Sequence, residues 1–132
     1  MFTLDRFGRI PIYEQFMKQV ELHILDGTLQ PQDALPSVRT LSVTLGINPN
    51  TLQKAYTELE RRGICISVPG SGRYVAAEAK QCVVGERRAA MRTLGHLACE
   101  LAQAAIPLKE VLACVEKAYQ GAAEARQKEG NP

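Results

Sequence analysis

The sequence lacks the cysteine spacing of a metal site and lacks an apolar run that could cross a membrane. Its cysteines, at Cys65, Cys82, Cys99 and Cys114, form no Cys-x-x-Cys pair, and neither histidine has a second ligand nearby. A membrane helix needs about 20 apolar residues, and the first residues contain no apolar core of a signal peptide. We therefore expect a cytoplasmic protein with no metal, cofactor or membrane partner. Packed, neutral thiols are the simplest expectation, and a redox sensor is the alternative.

Acidic residues are missing from one stretch of the chain. None occurs between Asp33 and Glu58, whereas Arg39 and Lys54 lie in that interval. The whole chain of 132 residues has a net charge of only +2, which excludes a polybasic tail protein. Affinity for a nucleic acid would then come from local charge placement and from two copies acting together. The acid-free interval favours a polyanion as partner.

The same interval has the pattern of a helix-turn-helix. Ser37 can cap a helix, and Gly46 can end it in a left-handed conformation. Asn48 can cap the next helix, with Pro49 at the first position, where a missing N–H has no cost. Ile47, between the two helices, is expected to be buried in the turn.

The second of these helices has two chemically different faces. Its apolar stripe repeats at helical spacing and consists of Leu52, Ala55, Tyr56 and Leu59. The opposite side presents Asn50 and Lys54, with Gln53 at its edge. Amide side chains match the adenine edge in the major groove, and lysine or hydroxyl groups can reach phosphate. A polar face also suits any solvated helix, but the missing acids favour the DNA interpretation.

A β-hairpin is predicted directly after this helix. Residues 64–68 and 73–75 are rich in β-formers, and Pro69-Gly70-Ser71-Gly72 lies between them. The glycines could serve only the turn. Alternatively, Gly70 and Gly72 let the backbone approach a sugar-phosphate chain, with Ser71 and Arg73 as donors. The hairpin is interpreted as a wing.

The remaining sequence predicts one helix before this unit and two helices after it. Pro11 opens a first helix that ends at Asp26-Gly27. We predict a DNA-binding domain over residues 1–77 and an α-helical dimerisation segment over 78–132, with one helix over 80–105 and another from Pro107. The apolar positions assigned to dimerisation are Val84, Met91, Leu94, Ala98, Leu101, Val111, Leu112 and Val115. Two such helices cannot form a core alone, so they dock on a second subunit or, alternatively, on the first domain.

These motifs together resemble the GntR family of bacterial transcription regulators, and within it the YtrA-like subfamily. The likeness rests on Pro11-Ile12-Tyr13-Glu14-Gln15, Leu35-Pro36-Ser37-Val38-Arg39, Leu45-Gly46-x-Asn48-Pro49-Asn50-Thr51, Ala55-Tyr56-x-x-Leu59-Glu60-x-x-Gly63 and Gly70-Ser71-Gly72-x-Tyr74-Val75. The resemblance implies DNA contacts from Arg39 on one helix, from Asn50, Thr51 and Gln53 on the next, and from the wing tip. Many family members have arginine where this chain has Pro49 and Gln53, so their base preferences are not transferred.

The expected fold is mainly α with a small β-hairpin: an N-terminal winged helix-turn-helix followed by a two-helix C-terminal dimerisation segment. The expected function is a transcription repressor that binds a palindromic operator in double-stranded DNA as a homodimer. The predicted DNA-binding residues are Ser37, Arg39, Asn48, Asn50, Thr51, Gln53, Lys54, Gly70, Ser71, Gly72 and Arg73. Subfamily resemblance implies control of a transporter operon, and the sequence identifies no small-molecule effector. A protein-interaction module is the alternative, whereas an enzyme is disfavoured because no nucleophile and base set is found.

Overall fold

The computed structural model describes the backbone of residues 1–130 and the side chains of residues 1–126. The helices are α1 (Ile12–Leu25), α2 (Val38–Leu45), α3 (Pro49–Arg61), α4 (Ala79–Ala89), α5 (Met91–Gln103) and α6 (Leu108–Gly130), and the strands are β1 (Cys65–Val68) and β2 (Gly72–Val75). The expected fold class, mainly α with one hairpin, is confirmed. No helix in this described part is long and apolar enough to cross a membrane.

The chain divides into two compact units, Met1–Arg88 and a second unit from Ala89 onward. The sequence placed the boundary earlier, after residue 77. The structure differs because α4 packs on the first unit, where Ala79 and Val83 are fully buried in the core. Residues 131 and 132 of the predicted dimerisation segment lie outside the described residues.

The caps predicted for the helix-turn-helix are confirmed. The Ser37 hydroxyl accepts the Thr40 N–H at 3.0 Å, and the Asn48 side-chain oxygen accepts the Asn50 N–H at 2.8 Å. Gly46 ends α2 at φ +65°, a conformation that costs most other residues energy. Ile47 is buried between the two helices, as expected.

Tyr56 lies at the centre of the first core. Its ring packs edge-on against Phe16 of α1, with 5.4 Å between ring centroids. Its hydroxyl donates a 2.6 Å hydrogen bond to the carbonyl oxygen of Pro36, just before the cap of α2. Burial raises the pKa of Tyr56, so this hydroxyl remains a donor throughout the neutral range. One residue of α3 therefore holds both α1 and the start of α2.

The wing, formed by β1 and β2, is an antiparallel pair in which Cys65 lies opposite Val75. The loop before α2 extends this sheet: Leu35 N–H donates to the Arg73 carbonyl at 2.9 Å, and Val75 N–H donates to the Asp33 carbonyl at 2.9 Å. These bonds fix the wing to the segment that leads into α2. The wing is therefore joined to the helix-turn-helix by backbone hydrogen bonds.

The N-terminal residues run along α1 rather than away from it. The Gln15 side chain accepts from Asp5 N–H at 2.8 Å and donates to the Asp5 carbonyl at 2.9 Å. Arg6 donates to the carbonyl oxygens of Leu45 and Gly46, at the end of α2. The first residues thus brace the turn between α2 and α3.

The C-terminal part contains one more helix than expected. The predicted helix over 80–105 is two helices, α4 and α5, interrupted at Ala90. Neither glycine nor proline lies at this interruption, so the local sequence does not predict it. The start of α6 after Pro107 is confirmed, and Ala105 between α5 and α6 adopts φ +60°.

Replacement of Tyr56 by phenylalanine removes the bond to Pro36 while keeping the ring. We expect Tyr56→Phe to lower the free energy of unfolding by about 1 kcal/mol, because the part-buried Pro36 carbonyl loses its partner. Urea unfolding followed by circular dichroism measures this. The control is Tyr13→Phe, since the Tyr13 hydroxyl makes only a 3.3 Å contact with Glu14 at the surface. Equal stabilities for the two variants would contradict the role assigned to Tyr56.

Candidate nucleic-acid interface

The start of α2 presents unoccupied hydrogen-bond donors. Ser37 uses its hydroxyl on Thr40, and the Leu41 N–H donates to the Ser37 carbonyl at 3.0 Å. The backbone N–H groups of Val38 and Arg39 have no acceptor among the described residues. A helix N-terminus of this kind attracts an anion. The Arg39 side chain is exposed beside it and makes no ion pair within the described part of the chain.

The start of α3 is different, because its backbone is already satisfied. Pro49 has no N–H, Asn50 donates to the Asn48 side chain, and Thr51 N–H donates to the Asn48 carbonyl at 3.0 Å. The Asn48 side-chain oxygen is therefore occupied by the cap. The outward chemistry of α3 comes from side chains: Asn50 and Gln53 are exposed, while Thr51 is half-buried.

Lys54 is also exposed, and α1 supplies its neighbours. Its Nζ lies 4.0 Å from the centroid of the Tyr13 ring, a cation–π contact. Glu14 of α1 lines the same groove as Tyr13, Gln53 and Lys54. The interval without acids in the sequence therefore has an acid beside it in space. Only the packing of α1 on α3 brings Glu14 there, so linear sequence gave no signal of it.

The tip of the wing is a turn whose glycines have a structural explanation. Ser71 N–H donates to the Val68 carbonyl at 3.0 Å, which places Pro69 and Gly70 at the two central positions. Gly70 has φ +76°, as the second central residue of a type II turn requires. The Ser71 hydroxyl contacts the Tyr74 hydroxyl. Open space surrounds Gly70 and Gly72, which leaves the backbone accessible to a ligand.

Arg73 does not lie with the other predicted contacts. Its Nε donates to Glu60 of α3 at 2.8 Å, and its guanidinium lies 4.8 Å from the centroid of the Tyr56 ring. The side chain is half-buried, and its charge is already paired. This pairing fixes the wing to α3, and the sequence did not indicate it because Glu60 lies on a different element. The phosphate contact predicted for Arg73 stays a prediction.

An acid ends the outward face of α3. Glu58 pairs with Arg61 one turn further along, with Arg61 Nε to Glu58 Oε2 at 2.9 Å. The hydrogen bond from Arg61 lowers the pKa of Glu58. This carboxylate therefore stays ionised at a lower pH than an ordinary glutamate does. Glu58 and Arg61 thus form an ion pair on α3 beyond the exposed amides of Asn50 and Gln53.

The residues assigned to dimerisation occupy three helices. Val84 lies on α4, within the first unit, and is 36% exposed. On α5, Met91, Leu94 and Ala98 are exposed and Leu101 is half-buried; on α6, Leu112 is exposed while Val111 and Val115 are half-buried. Three further apolar residues of these helices are also exposed, namely Leu97, Leu108 and Tyr119. No residue of α5 is buried.

The exposed thiols differ from the simplest expectation. Cys65 is buried, and burial raises its pKa to about 11, so this thiol is neutral and unreactive near neutral pH. Cys82 is half-buried, whereas Cys99 and Cys114 are exposed. The expectation of packed thiols therefore holds for Cys65 alone.

Comparison with known proteins gives consistent matches. The profile described as "Bacterial regulatory proteins, gntR family" matches residues 12–75. The HTH-type transcriptional repressor YtrA of Bacillus subtilis (strain 168) is 44% identical over 84 residues, which cover 64% of this chain and 65% of that protein. The chain thus spans somewhat less than two thirds of the length of this relative.

Solved structures match over more of the chain. A GntR family transcriptional regulator from Listeria monocytogenes is 32% identical with a TM-score of 0.66, covering 86% of this chain and 98% of that one. A transcriptional antiterminator from Listeria monocytogenes EGD-e is 30% identical with a TM-score of 0.70, covering 92% and 91%. These relatives are regulators of transcription, not enzymes. With the winged helix-turn-helix and the nearly full-length match to a GntR regulator, the chain belongs to the GntR family of bacterial regulatory proteins.

Proposed function

We propose that this protein is a transcription repressor that binds a palindromic operator as a homodimer. The observation that carries this proposal is the difference between the starts of α2 and α3. The first offers free backbone N–H groups beside an unpaired Arg39, and the second offers amide side chains on a satisfied backbone. Repression, rather than activation, is proposed from the likeness to a protein named as a repressor.

The start of α2 is proposed to hold the phosphate backbone. The free N–H groups of Val38 and Arg39 and the positive end of the helix dipole favour an anion there. The Arg39 guanidinium adds a charge-assisted contact. Contacts of this type set the position of a protein on the duplex without reading its sequence. Ser37 acts indirectly, by capping α2 while leaving its first two donors free.

Base reading is proposed for the start of α3. Asn50 and Gln53 are exposed amides, and an amide can donate to N7 of adenine while it accepts from the N6 amino group of the same base. Thr51, half-buried between them, is suited to a phosphate or thymine methyl contact. Asn48 contributes by capping the helix. Lys54 can exchange its contact with the Tyr13 ring for a phosphate.

The wing is proposed to add a backbone contact. The accessible peptide groups around Gly70 and Gly72 can approach a sugar-phosphate chain closely because no side chain intervenes. The bonds from Leu35 and Val75 hold the wing in a fixed position relative to α2. The wing and the start of α2 could thereby grip phosphates on either side of the base-reading helix.

Dimerisation is proposed through α5 and α6. Exposed apolar side chains recur along both helices, and α5 buries none of its residues. Such a surface is costly in water and is typical of a protein interface. A symmetric dimer would place two recognition helices about 34 Å apart, one turn of the DNA. The proposed site of action is the cytoplasm, and the target class proposed from subfamily resemblance is a transporter operon.

Gln53→Ala and Arg39→Ala are expected to affect binding in different ways. Gln53→Ala should lower discrimination at one base pair by about 1–3 kcal/mol. Arg39→Ala should weaken binding to all sequences and reduce the slope of affinity against salt by about one charge. Both are measured by fluorescence anisotropy on a DNA sequence selected from a random pool by the full chain. The control is Lys109→Gln, because Lys109 is exposed on α6, outside the DNA-binding unit; its salt slope should match the wild type. A uniform loss in the Gln53 variant would contradict base reading.

A charge placed on the α5 surface should separate the subunits. We expect Leu94→Glu to convert a dimer into a monomer in sedimentation equilibrium and to weaken operator binding by 10²-fold or more, since the second half-site is no longer engaged by a linked subunit. Thr93→Glu is the matched control, because Thr93 is exposed on the same helix outside the apolar set. A Leu94→Glu protein that remains dimeric would contradict the assignment of this surface.

A further inference from the structure

An ion cluster joins three helices of the first unit. It consists of Glu21 on α1, Arg62 at the end of α3, and Glu86 and Arg87 on α4. One carboxylate oxygen of Glu21 accepts from Arg62, and the other accepts from Arg87 at 3.0 Å. Arg62 also donates to both oxygens of Glu86, each at 2.8 Å. The two glutamates and two arginines thus form a chain of ion pairs with no net charge.

The core of this cluster is withdrawn from water. Glu21 is 6% exposed and is the one buried charged residue in the described part of the chain. The Arg62 side chain is 14% exposed. Buried ion pairs add little net stability, since removing charges from water cancels most of their attraction. Their best-attested benefit is geometric, because they permit one arrangement of the elements they join.

The position of the cluster along α4 indicates which part of this helix it holds in place. The buried residues of α4, Ala79 and Val83, lie in its first half. Beyond Val83 no residue of the helix is buried, and residues 84–89 are exposed. Glu86 and Arg87 are in the last turn, immediately before the first unit ends at Arg88. Apolar packing therefore holds the start of α4, and the ion cluster holds its end.

We propose that this ion cluster fixes the point at which the chain leaves the DNA-binding unit and thereby sets the spacing between operator half-sites that the dimer accepts. The proposal rests on the proposed homodimeric function. Arg62 follows directly on the last turn of α3, so the recognition helix and the exit of the chain share one fixed partner. Glu21, Arg62, Glu86 and Arg87 are positioning residues and need not touch DNA.

Spacing is a sensitive readout of this geometry. One added base pair moves a half-site by about 3.4 Å along the axis and rotates it by about a tenth of a turn. A dimer with fixed exit points cannot engage both half-sites after that change, and it loses the advantage of linked binding. A dimer whose α4 ends are loose can follow the change. The cluster should therefore affect selectivity among spacings more than affinity for a half-site.

The test compares full-length Glu86→Gln/Arg87→Gln with the wild type. This pair of substitutions removes both contributions of α4 while leaving Glu21 paired with Arg62, and it keeps the net charge. The matched control is Glu78→Gln/Arg88→Gln, which makes the same charge changes around the same helix at residues that form no ion pair in the described part. Each protein is titrated on the selected operator, on versions with one base pair inserted or deleted at the centre, and on a single half-site.

The wild type and the control are expected to lose operator affinity by on the order of tenfold or more when the spacing changes. The cluster variant should lose less than about threefold in affinity on the same change of spacing. Its half-site affinity should stay within about twofold of the wild type, and its unfolding temperature within a few degrees. An unchanged spacing preference in the cluster variant would overturn the proposal, as would a parallel loss of half-site affinity. If the wild type itself shows no preference for paired half-sites, the homodimeric operator function fails instead, so the two failures are distinct.

Discussion

The hydrogen bond from the Tyr56 hydroxyl to the Pro36 carbonyl is the contact on which the DNA-facing surface depends. It joins the middle of the recognition helix to the residue before the cap of α2. The same ring packs on Phe16 and lies beneath the guanidinium of Arg73. A single buried side chain thus relates α1, α2, α3 and the wing.

The two helix starts illustrate how caps divide labour. Ser37 and Asn48 look equivalent in the sequence, since each is a polar residue before a helix. Within the described residues, Asn48 followed by Pro49 leaves no free N–H at the start of α3, whereas Ser37 leaves two at the start of α2. An anion is therefore favoured at α2, and side-chain reading is favoured at α3. The proposed repressor would bind phosphate at the start of α2 and read bases at the start of α3.

Local features could be predicted from the sequence because they depend on residues a few positions apart. The caps, the left-handed Gly46, the buried Ile47 and the hairpin are of this kind, and the structure confirms each of them. Features that depend on how elements pack were missed. The pairing of Arg73 with Glu60 and the approach of Glu14 to Lys54 are examples.

The C-terminal part shows the same limit. The predicted apolar repeat began at Val84, and the neighbouring Val83 proved to be the residue buried in the first core. Both positions fit a helix, and only the surface of the first unit decides which of them faces inward. The interruption at Ala90 likewise has no local cause in the sequence.

The most direct test of the account is the stoichiometry of full-length protein on its selected operator, measured by sedimentation of the complex at two salt concentrations. A second duplex has one half-site scrambled, and an unrelated duplex serves as control. Two subunits are expected on the palindrome, with affinity 10³-fold or more above that for the unrelated DNA and a marked loss of affinity when one half-site is scrambled. One subunit per duplex, with equal affinity for the intact and scrambled sites, would contradict a homodimeric repressor.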